Sequence, residues 1–247
     1  MRTLIMLLGY LLFFIITLPA FLILLIVKKF NPIACHKAAQ WFIRFGFKFT
    51  LIPTGIKLKV IGKDRVPKDG SMLFVTNHRS YLDTPIAYSN IPVPVGFVAK
   101  KQIGKVPFLS WWMRLLHCYF LDREDPRDGL KMVLTGIENI NNGISMFIAP
   151  EGTRNHKDEM LPFKEGALKI AAKANCPIIP IALSGTDDIL ENHFPWVKKG
   201  PVVMEFGEPI YPDKLSPDDK KALGAYTRSV IAGMLDNNKK YITKGGQ

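Results

Sequence analysis

In the stretch "FVTNHRSYLD", residues 74–83, a histidine follows an apolar run and an aspartate stands five positions further on. A histidine is the side chain best suited to take a proton near neutral pH. It works best when a carboxylate holds its second ring nitrogen, selecting the tautomer and stabilising the charged form. His78 and Asp83 are therefore candidate partners, provided the chain between them folds back. The same residues also fit a helix start. Ser80-Tyr81-Leu82-Asp83 resembles a capping box, and Pro85 would fall in the first turn. Both roles are open, and one carboxylate has oxygens for both.

No enzyme nucleophile accompanies the pair. There is no G-x-S-x-G elbow and no G-x-x-x-x-G-K-[ST] loop. Cys118 falls in an apolar run and reads as a small core residue. His36, His117, His156 and His193 form no ligand spacing, so no metal is expected. What remains is a base that activates a hydroxyl on the substrate itself. Candidate anion-binding groups lie elsewhere. In "PEGTRNHK", Gly152 permits a tight turn, and the backbone with Thr153 and Arg154 could hold an anion. A surface turn with a solvated arginine is the alternative. Arg123 in "LDRED" is either an anion ligand or part of a charge run. Lys100, Lys101 and Lys105 would guide an anionic substrate or face lipid headgroups.

These residues need a scaffold. From about residue 55, short apolar runs recur at 55–61, 72–76, 95–99, 118–122, 144–149, 177–183 and 202–206. Helix-like stretches cover about 126–142, 163–175 and 216–238. The alternation predicts an α/β domain with a mainly parallel sheet flanked by helices. His78, Arg123 and the 150–154 segment each follow directly on a strand. In such sheets ligands bind beyond the carboxyl ends of the strands, so one crevice is expected to gather all three. The prolines of "CPIIP" suggest that the 177–183 strand is an edge strand or is interrupted. The final "TKGGQ" is expected to be loosely held.

The chain has 247 residues, 48% hydrophobic and 22% charged, as in a packed protein. A net charge of +12 favours anionic partners. Three scattered cysteines suit a reducing compartment. Residues 4–27 carry no charge and are long enough, as a helix, to cross a bilayer core. Lys28-Lys29 follows where a cleavage site would need small residues, so a retained segment is expected. Pro19 leaves two forms open, a straight span or a bent hairpin dipping into one leaflet. In "IACHKAAQWFIRFGFKF", Lys37, Gln40, Arg44 and Lys48 fall on one helical face, with Ala38, Trp41, Phe42, Phe45 and Phe49 on the other. A helix lying in the membrane interface is expected; a helix packed on the protein's own core is the alternative. The basic residues after the first segment place the main domain on the cytoplasmic side. The expected organisation is a membrane-associated helical segment, 1–54, and an α/β domain, 55–247.

"NHRSYLD" resembles the N-H-x-x-x-x-D motif of the glycerolipid acyltransferases. "FLDR", "PEGTR" and "CPIIPIAL" resemble the family's second, third and fourth motifs, in matching order and spacing over roughly residues 55–210. His117, Ala149 and Gln102 depart from common family residues there and bear on substrate details. The resemblance implies transfer of an acyl chain to the sn-2 hydroxyl of lysophosphatidic acid, giving phosphatidic acid for phospholipid synthesis. The donor would be a thioester of acyl carrier protein or coenzyme A, with no resident cofactor and no acyl-enzyme. It implies His78 as base and Asp83 as its orienting partner. Arg123, Arg154 and lysines such as Lys101 and Lys105 would hold the phosphate, with Gly152 and Thr153 in the binding turn and Glu151 supporting the arginines. The implied partners are membrane lipids and the carrier, not nucleic acid, at the cytoplasmic face of the cell membrane.

Overall fold

The computed structural model of the protein describes residues 1–157 and 159–243. Most of the tail expected to be loose, 244–247, lies outside the described residues. Three helices lead: α1 (Arg2–Ile16), α2 (Leu18–Phe30) and α3 (Pro32–Leu51). A sheet of seven strands follows: β1 (Ile56–Ile61), β2 (Leu73–Thr76), β3 (Val95–Lys100), β4 (Tyr119–Leu121), β5 (Ser145–Ile148), β6 (Ile178–Ser184) and β7 (Gly200–Phe206). The helices between and after them are α4 (Asp83–Asn90), α5 (Leu109–Leu115), α6 (Pro126–Asn141), α7 (Glu165–Ala174), α8 (Pro217–Lys221) and α9 (Leu223–Thr243).

The strand order is β1-β7-β6-β2-β5-β3-β4. All pairs are parallel except β6–β7. Every apolar run read as a strand is one. The alternation of side chains along each strand feeds two cores. Phe74, Phe97, Ile179, Ile181 and Met204 face the layer that holds α1–α5. Leu73, Val75, Met146, Ile148 and Ile178 face the layer of α6, α7 and α9.

Of the two forms expected for the proline-containing strand, the edge position is not adopted, because β6 lies between β7 and β2; the interruption is. Pro180 is accommodated by a gap in one ladder. The β6–β7 pairing begins at Ile181–Phe206, and the next contact is an isolated bridge at Ile178–Ile210. Pro180 falls between the two, where its carbonyl accepts from Gly207 N and no strand partner requires its missing donor.

At the N-terminus, α1 and α2 are bent by 51° at Thr17. Pro19 has no N–H to continue the ladder, and the Thr17 hydroxyl donates to Phe13 O at 2.7 Å. The segment is thus two helices with a bend between them, not one straight helix. No single helix among the described residues is long and apolar enough to cross a membrane; α1 and α2 meet that test only together. Their outer sides expose Leu4, Leu8, Leu11, Ile15, Ile23 and Ile26.

In α3 the aromatic stripe points outward. Trp41, Phe45 and Phe49 are exposed and stack on one another at 6.0 and 6.4 Å. The polar face is divided. Lys37 and Lys48 are exposed, but Gln40 is buried and donates to Val93 O at 2.7 Å, and Arg44 reaches the same carbonyl at 3.4 Å. A carbonyl enclosed between helix and sheet needs donors, and this demand turns Gln40 and Arg44 inward. Cys35, Ala39, Ile43 and Gly46 pack beside it into the core shared with the sheet. Edge-to-face contacts from Phe47 to Tyr88 and from Tyr88 to Phe97 extend this junction through α4 to β3. Each contributes about 0.5–1.5 kcal/mol beyond area burial.

Gly46 is where α1 comes closest to α3. A Cβ there would lie 2.5 Å from the Phe13 ring. Gly46→Ala is expected to lower unfolding stability by about 1–3 kcal/mol in a denaturant titration. Gly129, within α6, has nothing within 4 Å of a Cβ, and Gly129→Ala is expected to raise stability by about 0.5–1 kcal/mol in the same titration.

Candidate active site

The sheet ends where the sequence predicts a crevice. β2, β3, β4 and β5 run parallel, so the segments after them open on one side. After β2, Asn77 is buried and spans two bonds of β6: its amide donates to Leu183 O and accepts from Leu183 N, both at 2.9 Å. This clamp fixes where the next residue starts. His78 then turns into the crevice with its ring about one-fifth exposed.

Asp83 is buried at the first residue of α4. Its Oδ2 lies 2.9 Å from His78 Nδ1 and accepts from the backbone N–H groups of Arg79 (2.8 Å) and Ser80 (2.7 Å). The capping reading is thus partly realised. Asp83 satisfies backbone donors, but those of the loop before the helix, while Ser80 Oγ accepts from Leu82 N. The crowding of donors on Oδ2 also assigns the tautomer. An ionised carboxylate only accepts, so Nδ1 carries the proton and Nε2 keeps its lone pair. No protein group among the described residues hydrogen-bonds Nε2.

Glu151 grips the same loop from below. Its Oε1 accepts from His78 N at 2.7 Å and its Oε2 from Leu161 N at 3.0 Å. Burial raises its pKa, while the two backbone N–H bonds pull the other way. Glu151 therefore supports the histidine backbone rather than the arginines.

The crevice has a cavity of about 100 Å³ and is open to solvent at its mouth. His78, Asp83, Arg123 and Gly152 all line it, over an apolar floor that includes Phe97, Leu121, Met132 and Phe147. Arg123 has no acid and no hydrogen-bond partner among the described residues, and desolvation alone lowers its pKa. Gly152 adopts φ +74°, and a Cβ there would lie 2.9 Å from Lys164 Nζ. Lys164, missed in the sequence, is thereby a second cation on the rim. Its only sequence signal was its place just before the 165–174 helix.

The remaining predicted residues are outside the crevice lining. Lys101 forms an exposed ion pair with Asp122 at 2.7 Å, which raises the lysine's pKa. Lys105 and Thr153 are exposed. Arg154 does not line the crevice; its guanidinium lies 3.5 Å above the Tyr81 ring and 3.3 Å from Glu191. Glu191 also accepts from Tyr81 N at 2.7 Å, and Asp187 takes Arg79 at 2.8 Å. Neither acid belongs to a recognisable motif, so nothing in the sequence signalled these contacts.

The strand-end crevice thus brings together a carboxylate-oriented imidazole and a guanidinium with no acid partner among the described residues. The acyltransferase family model matches residues 57–184. A 1-acyl-sn-glycerol-3-phosphate acyltransferase of Saccharomyces cerevisiae is 31% identical over 205 residues, 81% of this chain and 66% of that enzyme. One from Borreliella burgdorferi is 27% identical over 197 residues, 80% of this chain and 79% of that one. The crystal structure of the 1-acyl-sn-glycerophosphate (LPA) acyltransferase PlsC from Thermotoga maritima superposes with a TM-score of 0.76 at 25% identity, covering 97% of this chain and 98% of that one. The match covers just under two thirds of the yeast enzyme and 46% of a chloroplastic relative from Brassica napus. The chain belongs to the acyltransferase family.

Asp83→Asn keeps an acceptor for the backbone but allows the wrong tautomer on His78. It is expected to leave circular dichroism unchanged and to lower kcat by roughly 10²–10⁴. Glu151→Gln keeps one acceptor and turns an amide N–H₂ toward the other donor. A loss of about 1–3 kcal/mol in unfolding stability is expected by chemical denaturation.

Proposed function

We propose that this enzyme transfers an acyl chain from a thioester of acyl carrier protein or coenzyme A to the sn-2 hydroxyl of lysophosphatidic acid, producing phosphatidic acid for phospholipid synthesis. The observation that carries the reading is the free Nε2 of His78, oriented by Asp83, in the same crevice as the unpartnered Arg123. The names of the relatives agree with it.

In this mechanism His78 Nε2 takes the hydroxyl proton as the oxygen attacks the thioester carbonyl. The tetrahedral intermediate then expels the thiolate, which takes the proton from the imidazolium. Asp83 holds the ring and stabilises its transient charge. Arg123 holds the phosphate, with Lys164 beside it, and bidentate guanidinium contact suits that role. Arg154, stacked on Tyr81, shapes the loop that carries His78. The acceptor's tail stays in lipid. Residues 1–54 hold the crevice at the cytoplasmic face of the membrane through the exposed sides of α1, α2 and α3. Residues 55–247 carry the chemistry, although α3 also contributes to their core.

The test is thiol release from acyl thioester in the presence of lysophosphatidic acid, with glycerol-3-phosphate as a second acceptor. His78→Ala is expected to lower release by at least about 10³-fold. Normal release by that variant would remove His78 as the base, and preference for glycerol-3-phosphate would reassign the acceptor. Arg123→Ala is expected to raise KM for lysophosphatidic acid roughly ten- to a hundredfold, with a smaller change in kcat and little recovery in Arg123→Lys.

A further inference from the structure

The connection between β6 and β7, residues 185–199, ends in a tip that covers nothing. Phe194 is 68% exposed and Trp196 62%, while Ile189, Leu190 and Val197 beside them are buried and anchor the loop to the sheet. The tip segment, "HFPWVKK", contains two lysines and no acid. Lys198 and Lys199 are exposed. Large exposed aromatics are costly in water unless a partner covers them.

The neighbours of the tip identify that partner. The Thr3 hydroxyl, at the start of α1, donates to Pro195 O and accepts from Val197 N, both at 2.9 Å. The tip is therefore tied to the end of α1 where Leu4 is 70% exposed. The end of α3 reaches the same place: a Cβ on Gly55 would lie 3.0 Å from Lys199 Cβ and 3.8 Å from Arg2 Nε. Ile52, three residues earlier, is 72% exposed. Phe194, Trp196, Leu4 and Ile52 thus form one apolar area edged by Arg2, Lys198 and Lys199. Aromatic side chains flanked by cations match the boundary between headgroups and acyl chains in an anionic membrane.

We propose that the β6–β7 tip is a further membrane-contact site, in which Phe194 and Trp196 enter the bilayer interface and Arg2, Lys198 and Lys199 engage anionic headgroups. This rests on the membrane-bound placement argued above. The base of the same loop carries Asp187 and Glu191, which hold Arg79, the Tyr81 amide and Arg154 without the help of the tip residues.

Fluorescence quenching tests the contact independently of activity. The chain has four tryptophans, so wild type is compared with Trp196→Phe in anionic vesicles containing lipid brominated near the headgroup. Wild type is expected to show a quenched component that Trp196→Phe lacks. Equal quenching in the two proteins overturns the proposal. So does a wild type that does not bind the vesicles, or self-association in lipid-free detergent that is lost in Phe194→Ser/Trp196→Ser, because the tip is then a protein contact. In the acyl-transfer assay, the double variant is expected to raise apparent KM for bilayer-embedded acceptor about tenfold and to leave turnover of a soluble short-chain acceptor unchanged. Equal effects on both acceptors overturn a membrane role. A wild type inactive on lysophosphatidic acid defeats the functional reading alone, since the quenching comparison still decides the contact.

Discussion

A single carboxylate oxygen organises the active site. Oδ2 of Asp83 receives the His78 imidazole and two consecutive loop amides, all between 2.7 and 2.9 Å. The carboxylate is buried, so each of these bonds replaces hydration that the charge has lost. Its geometry therefore sets three things together: the curl of the loop, the entry into α4, and the direction of the imidazole. Asn77 and Glu151 act on the same short segment from its two ends. Asn77 ties the chain to β6, and Glu151 ties the His78 amide to the segment at Leu161. With its backbone held at both ends and its ring held at Nδ1, His78 has Nε2 left as the ring nitrogen without a protein partner among the described residues.

The sheet separates two unlike helical layers. One face carries α1–α5, and the exposed sides of the first three of these helices are rich in apolar and aromatic residues. The other carries α6, α7 and α9. The crevice opens at the strand ends between these layers. Gln40 and Arg44 join the helical segment to the sheet through one buried carbonyl, so the exposed aromatic stripe of α3 cannot rotate without leaving Val93 unsatisfied. The orientation of Trp41, Phe45 and Phe49 is thus set by a hydrogen bond on the opposite side of the helix.

Much of this was legible from local pattern. Strand positions followed from apolar runs, because a sheet covered on both faces requires them. The crevice residues His78, Arg123 and Gly152 followed from a topological rule that needs only strand direction. Pro180 and α3 were read only in part. Proline allowed either an edge strand or an interrupted one, and the choice of a gap in one ladder comes from a segment some thirty residues away. Gln40 and Arg44 were read with the solvated side of α3 because the carbonyl that needs them is distant in sequence.

The sequence by itself determined the strands, the crevice they share, the histidine–aspartate pair and an apolar N-terminus, since each depends on residue type and short-range spacing. Only the tertiary structure decided which cations face the crevice. Lys164 joins Arg123 there, whereas Lys101 is paired with Asp122 and Arg154 is held by Glu191 and Tyr81. A charged side chain takes its place from the nearest counter-charge or ring, and those partners come from loops that the chain brings together only on folding.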